Sequence, residues 1–511
     1  MGIRTGAQYL DGLRRRPREV WIRGQRVDDV SIHPAFAKPA RHIAKLYDMQ
    51  HDPACQDVLT YVSPSSGERV GAAFMMSKSI EDLRKRRHAF QLWAETSFGL
   101  LGRSPDFLNT TVMAFAEAPE VFQAMGPRFA QNVRNYYEHV RENDLFLTHA
   151  LITPQTDRSK GSREQSDAFL HMGVVRETAA GLVMRGARML ATHGPIADEV
   201  IVYHLPGIRP GDEAYAAAFA IPLDTAGVKM ICREPFDEGG RSSFDHPLAT
   251  NFEEPDALLI FDDVLVPWDR VFLHGNVELA NRMYVDTALR NHTAHQTAAR
   301  AIAKMQLAVG VAMAVAETVK SNGFLHVQEM LGEIIGYIEL AKGCVVRSEV
   351  EFEQTGAGTI RPGLTPLQTL RAMMSKAYPR IIEVLQIVGA GGLLMMPTAA
   401  DFASEVGDDV RRYYRGAGDI EATQRVKIFK LAWDLAGDAF GMRAMQYERY
   451  YAGDPVRLLA SNYTAYANKH ECEKLVAQAL ALAGEPGPVP RRCPNRDRLP
   501  GGDHQGQQYG G

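Results

Sequence analysis

From about residue 284 onward the apolar residues fall into the 3.6-residue period of a helix and keep it for most of the remaining chain. Ile302, Met305, Val309, Ala312 and Ala316 recur at steps of three and four, as do Val327, Leu331, Ile334 and Ile338. Residues 366–387 read as a third long helix, opened near Thr365 and closed near Gly389. Residues 422–451 read as a fourth, stopped by Gly453 and Pro455. Helices of this length bury their apolar stripes against one another, so the pattern predicts an antiparallel four-helix bundle over 281–483. The longest apolar run, 307–316, is too short to span a bilayer.

The rest of the chain has a different period. Residues 1–150 read as a mostly helical domain, with helices over 5–13, 39–50, 79–97, 105–118 and 119–142. Ser79 and Asp82, three apart before an apolar pattern, have the spacing of a capping box. Between 151 and 280 short β-rich runs take over, at 181–186, 199–203, 216–221, 228–232 and 257–261, with Gly, Pro and Asp between them. Strands at this spacing predict an antiparallel sandwich or barrel. The tail, 484–511, is rich in Gly, Pro, Arg, Asp and Gln and is expected to be disordered. The fold class is therefore α+β, mainly α.

Several functions are disfavoured. A net charge of -4 gives no reason to expect nucleic acid or an anionic membrane as partner. The N-terminus lacks the apolar core of a signal peptide, so a cytoplasmic protein is expected. Five scattered cysteines form no CxxC pair and read as buried or incidental thiols. No GxGxxG follows a predicted strand, and Gly389-Ala390-Gly391-Gly392 follows a helix, where it reads as a stop. His292 and His295 share a helix face, but no carboxylate or cysteine at suitable spacing joins them, so no metal is expected.

Two stretches carry chemistry. Gly102-Arg103-Ser104-Pro105-Asp106-Phe107 places a guanidinium before a Ser-Pro helix start. Residues 148–158 place His149 before a polar turn, Gln155-Thr156-Asp157-Arg158, held by Pro154. Arginine offers a fixed fork of donors, and histidine exchanges a proton near neutral pH. Together they could hold a phenolate or carboxylate oxygen; on residue types alone, a structural salt bridge or cap is the readier account.

Both stretches, in this order and at this distance, resemble the oxygenase component of the 4-hydroxyphenylacetate 3-monooxygenase family. Arg4-Thr5-Gly6-Ala7-Gln8-Tyr9-Leu10, Gly186-Ala187-Arg188-Met189-Leu190-Ala191-Thr192, Phe244-Asp245-His246-Pro247-Leu248, the run 261–268 and the run 447–455 agree with it. The resemblance runs from about residue 4 to about 480. It implies an acyl-CoA dehydrogenase-like architecture: N-terminal helical domain, middle antiparallel β domain, C-terminal four-helix bundle. It also implies a homotetramer that takes FADH2 as a diffusible co-substrate from a separate NAD(P)H:flavin reductase. With O2 such an enzyme hydroxylates a small phenol ortho to its hydroxyl, giving a catechol.

Carried over position by position, the flavin contacts are His149, Gln155, Thr156, Asp157, Arg158, Thr192, Asp454, Pro455, Val456 and Arg457. The phenol oxygen falls to Arg103 and His149. The family's third group there, a tyrosine, is Phe107 in this chain. His204 and Leu205 stand at the far end of the substrate, and some relatives acting on chlorinated or nitro phenols use a histidine at position 292 as a base. The departures at 107, 204 and 205 leave another phenol open as the substrate: a substituted, chloro- or nitrophenol, or a hydroxycinnamate. A 4-hydroxybutyryl-CoA dehydratase resembles the same family, but its iron–sulfur cluster needs cysteines, and Phe98-Gly99-Leu100-Leu101-Gly102 offers none. The sequence does not fix the reductase or the choice between FAD and FMN.

Overall fold

Three long helices, Leu289–Thr318, Leu325–Val350 and Leu364–Gly389, carry the C-terminal half. The structure, a computed structural model, describes residues 2–483; the tail expected to be disordered lies outside the described residues. Where one fourth helix was expected there are two, Ala422–Ala436 and Ala439–Tyr450. Gly437 ends the first. Asp438 caps the second by accepting the amide of Ala439 at 2.6 Å. The same Asp438 takes His246 Nδ1 at 2.9 Å and Arg241 at 3.1 Å, so the break anchors the loop that contains the Phe244–Leu248 motif.

Leu289–Thr318 is the central element. It packs against Leu325–Val350, Leu364–Gly389 and Ala422–Ala436, and against Ile80–Thr96 and Pro105–Glu117 from the N-terminal region. By length and composition it could cross a membrane, although the run 307–316 alone is too short; most of its apolar window is instead buried against these neighbours.

The N-terminal helices follow their caps. Thr5 and Gln8 cap Gly6–Arg15 reciprocally, as Ser79 and Asp82 cap Ile80–Thr96. The second helix begins at Pro34 rather than Pro39, which lies inside it. Gly126, at φ 115°, and Pro127 break the expected 119–142 helix into Pro119–Gln123 and Pro127–Asn143.

The β region is two sheets rather than one closed barrel. The larger runs Gln25–Val27, Glu19–Ile22, Val228–Cys232, Asp256–Pro267, Gly181–Thr192, Gly173–Glu177. The smaller runs Val271–His274, Ala217–Pro222, Glu199–Val202, Leu147–His149. Phe219 of the smaller sheet meets Phe261 of the larger edge to face, ring centres 5.9 Å apart. Most pairings are antiparallel. The two parallel ladders among the described residues recruit strands from before residue 150: Glu19–Ile22 lies parallel to Val228–Cys232, and Leu147–His149 parallel to Glu199–Val202. The first 150 residues are thus not helical alone, since they supply an edge or a neighbour to both sheets.

One apolar core fills the sheets and N-terminal helices; a second fills the bundle. Residues Met1–Asn462 form one compact unit and the chain from Tyr463 a second, small one, whose helix Lys469–Leu480 is exposed along its length.

Candidate functional site

Leu100 belongs to the bundle core and Leu101 to the other core, so the segment that follows emerges at the seam between them. Gly99, at φ 69°, makes this approach possible: a Cβ there would lie 2.4 Å from the carbonyl oxygen of Arg300 on the central helix. Arg103 comes next and is buried, although Ser104 does not cap the helix with its side chain; its Oγ donates instead to Asp106.

Four groups surround the Arg103 guanidinium. Nε donates to His149 Nε2 at 3.3 Å, Nη1 donates to the carbonyl of Gly102 at 3.2 Å and to the hydroxyl of Tyr447, and Phe107 lies with its ring centre 4.0 Å from Cζ. Phe107 also meets His149 edge to face, centres 5.7 Å apart. No carboxylate pairs with this guanidinium among the described residues. His149 reaches it from the last position of the strand Leu147–His149, with Nδ1 3.4 Å from the Tyr203 hydroxyl. Burial, and then the Arg103 charge, push the His149 pKa well below its usual value, so the ring is neutral at pH 7 and Nε2 is an acceptor.

The backbone around Arg103 is fixed by Glu254. One carboxylate oxygen accepts the amides of Gly102 at 2.5 Å and Arg103 at 2.9 Å; the other accepts Arg443 Nη1 at 2.6 Å. Arg443 also binds Asp256 through two nitrogens, at 2.9 and 3.0 Å, and Asp256 accepts the hydroxyl of Thr192 at 2.8 Å. Burial pushes the Glu254 carboxyl up, but Arg443 outweighs it and holds the pKa well below the carboxylate range. A single chain of charge-assisted bonds therefore runs from Arg103 through Glu254 and Asp256 to Thr192.

His204 is buried, with Nε2 2.9 Å from the Ala217 carbonyl oxygen and Nδ1 3.4 Å from Arg188. Burial, then Arg188, keep it neutral. Arg188 itself is buried, pushed down to about 10, and bound to the Leu151 carbonyl at 2.8 Å. Leu205, beside His204, is exposed. Gln155, Thr156 and Arg158 are exposed, Asp157 half-buried; Thr156 bonds Gln165, and Asp157 closes its own turn on Ser159. Asp454, Val456 and Arg457 are exposed and Pro455 half-buried, and Asp454 accepts the Arg457 amide at 3.0 Å. The Arg158 and Arg457 side chains have no ion-pair partner among the described residues.

His292 is not brought to this cluster. Its Nε2 lies 2.8 Å from Glu117 and its Nδ1 3.2 Å from Arg86. Glu117 ends the helix Pro105–Glu117, ten residues beyond Phe107, or about 15 Å along the axis. Burial lowers the His292 pKa in spite of Glu117. His295 is held in the same manner by Glu349 at 3.0 Å.

Sequence reading missed Tyr447, Glu254, Arg443 and Asp256. Tyr447 opens a stretch, 447–455, that had been valued for its far end. Glu254 and Asp256 lie in an acidic loop that gives no sign of being buried.

The sequence matches the family profiles described as 4-hydroxyphenylacetate 3-hydroxylase N terminal, over residues 5–273, and C terminal, over 280–481. It is 44% identical over 474 residues to the 4-hydroxyphenylacetate 3-monooxygenase oxygenase component of Thermus thermophilus, covering 93% of this chain and 97% of that one. To the protein of the same name from a Geobacillus species it is 42% identical, covering 91% and 94%. A crystal structure of a 4-hydroxyphenylacetate 3-monooxygenase oxygenase component complexed with FAD and 4-hydroxyphenylacetate superimposes with a TM-score of 0.88 at 43% identity, covering 94% of this chain and 98% of that one.

Proposed function

Because the chain belongs to the 4-hydroxyphenylacetate 3-hydroxylase family, we propose that it is the oxygenase component of a two-component monooxygenase that hydroxylates a phenol ortho to its hydroxyl group. The observation that carries this reading is Arg103: a buried guanidinium with no carboxylate on it among the described residues, facing a neutral histidine. Such a pair favours the anionic form of a bound phenol. Arg103 stabilises the phenolate charge, and neutral His149, whose Nε2 accepts from Arg103 Nε, orients the guanidinium beside that oxygen without cancelling its charge. Ionisation enriches the ortho carbon in electrons, which is what an electrophilic oxygen attacks.

Reduced FAD, when bound, supplies the activation of O2. The residues present fit it. Arg158 and Arg457, without an ion-pair partner among the described residues, suit phosphates, and the Thr192 hydroxyl, its proton given to Asp256, keeps acceptor capacity for a flavin ring edge. Thr156, Gln155 and Asp157 offer further polar groups, with Asp454, Pro455 and Val456 beside Arg457. Burial of Arg103 and His149 keeps water from the phenol oxygen.

At the far end, neutral His204 bonded to the Arg188 cation suits an acidic tail, as in 4-hydroxyphenylacetate. Leu205 and Phe107 favour the second reading, a less polar substituted phenol. His292, held by Glu117, is the weakest of the proposed catalytic groups. A separate flavin reductase serves the enzyme, which works as a homotetramer in the cytoplasm; the free cysteines at 55, 232, 344 and 472 suit a reducing compartment.

The test supplies photoreduced FAD, O2 and a panel of para-substituted phenols, including 4-hydroxyphenylacetate and its uncharged amide, and reads catechols by mass. Catechol should form, faster from the acid than from the amide. Rapid NADH oxidation by the chain alone, or no catechol from any phenol, would count against the reading.

A further inference from the structure

Arg103 is gripped from the far end of the chain. Tyr447, on the helix Ala439–Tyr450, accepts its Nη1, and the Tyr447 ring is a face shared by four cations. Arg103, Arg443, Lys304 and Arg300 lie 5.4, 5.4, 5.5 and 5.7 Å from the ring centre. Three have carboxylates. Glu448 takes Arg300 at 2.6 Å and Lys304 at 2.8 Å, and Glu254 and Asp256 take Arg443. Arg103 has only neutral acceptors, and the Tyr447 hydroxyl is one of them.

The hydrogen of that hydroxyl is uncommitted. Its oxygen accepts from Arg103, and no acceptor for its proton is found among the described residues. Burial, against the Arg103 charge, keeps the hydroxyl protonated. Accepting from a guanidinium polarises an O–H and makes it a stronger donor. The space is provided by Gly102, where a Cβ would lie 2.2 Å from the Tyr447 hydroxyl oxygen. Phe107, whose ring lies against the same guanidinium, carries no hydroxyl.

We propose that Tyr447 is the substrate-positioning residue of this site: its hydroxyl donates to the phenol oxygen, the bond that Phe107 cannot make, while it holds Arg103 toward the same oxygen. This rests on the reading of Arg103 and His149 as the phenol site.

The test is Tyr447→Phe, which keeps the ring and its cation contacts, with 4-nitrophenol as a chromophoric probe. In the wild type the bound probe should be largely phenolate at pH values where it is neutral in water. In Tyr447→Phe its apparent pKa on the protein should rise, and its affinity should fall about ten- to a hundred-fold, as for a lost hydrogen bond to a charged oxygen. Phe107→Tyr should restore much of the loss in the Tyr447→Phe background and gain little in the wild type, because there the donor is already present. An unchanged bound-phenol titration in Tyr447→Phe would overturn the proposal. So would equal gains from Phe107→Tyr in both backgrounds, which would also decide the matter if Tyr447→Phe lost stability. A wild type that binds no phenol defeats the reading of the site itself, a result distinct from either.

Discussion

The residues proposed for the phenol and those proposed for the flavin are built in opposite ways. Around the phenol position, Arg103, His149, Glu254, Arg443 and Tyr447 are tied to one another across hundreds of residues, largely out of reach of water. The turns proposed for the flavin, 155–158 and 454–457, are mostly exposed, and their bonds are local, such as Asp157 to Ser159 and Asp454 to Arg457. The first region is organised before anything binds, so its interactions act at full strength on a developing charge. The second is wet, so each contact there is screened and worth little alone. A co-substrate that must arrive reduced and leave oxidised suits the second kind of site; a phenolate that must be held against water suits the first.

The largest effect should come from Glu254→Ala. It strips two backbone amides and Arg443 of a buried acceptor, and breaking a buried charge pair typically costs about 3–5 kcal/mol. Chemical unfolding measures it; a loss under about 1 kcal/mol would mean that the network is not the frame of the site. Next, Arg103→Ala should cost about 1.5–3 kcal/mol in the hydroxylation step, the value of a charge-assisted hydrogen bond. Flavin should still be reoxidised, but mostly to H2O2. Stopped-flow absorbance with a peroxide assay checks this, and unchanged coupling would remove Arg103 from the phenol site.

Acid should act on the buried region first. His149 and His204 are held well below their ordinary pKa, and His42 at about 4, in each case by burial before any neighbouring charge. A group whose folded pKa is depressed stabilises the fold above its unfolded pKa and loses that contribution as pH falls. The melting temperature should therefore drop between about pH 6.5 and 4. Asp106, raised to about 6 by burial, opposes the trend in part of that window. A flat melting profile from pH 7.5 to 4.5 would contradict the depressed histidines. The smallest effect belongs to the loops: Arg158→Ala and Arg457→Ala should each weaken reduced-FAD binding about two- to fivefold, less at high salt, and leave the melting temperature alone. A loss of stability in either variant would erase the contrast between the two regions.

The same contrast explains what could be read in the sequence. Local signals worked where the structure is local. Thr5 with Gln8 and Ser79 with Asp82 cap helices as spaced, and the β-rich runs 181–186 and 228–232 are strands. The sequence also marked Arg103, His149 and Phe107, which the fold brings together. It was silent about partners remote in the chain: nothing near Arg103 announces Tyr447, and nothing near Glu254 announces burial. Gly437 was passed over because a lone glycine costs a helix only about 1 kcal/mol, whereas the docking of Asp438 against His246 and Arg241 is tertiary. The carboxylate partner of His292 was hidden for the same reason, since Glu117 lies on another helix.

The parallel strand Glu19–Ile22 has a consequence for how the protein is made. Glu19 lies opposite Lys229, so at a synthesis rate of about 5–20 residues per second the strand waits on the order of 10–40 seconds for the partner it will edge. Throughout that interval the Val-Trp-Ile segment has only its hairpin with Gln25–Val27, and its other edge stays open on the nascent chain, a natural client for a ribosome-associated chaperone. Ribosome-held chains arrested before residue 228 should be cut by protease between residues 19 and 27, and chains arrested well beyond residue 267 should resist. One of the first strands to be translated is thus among the last to be folded.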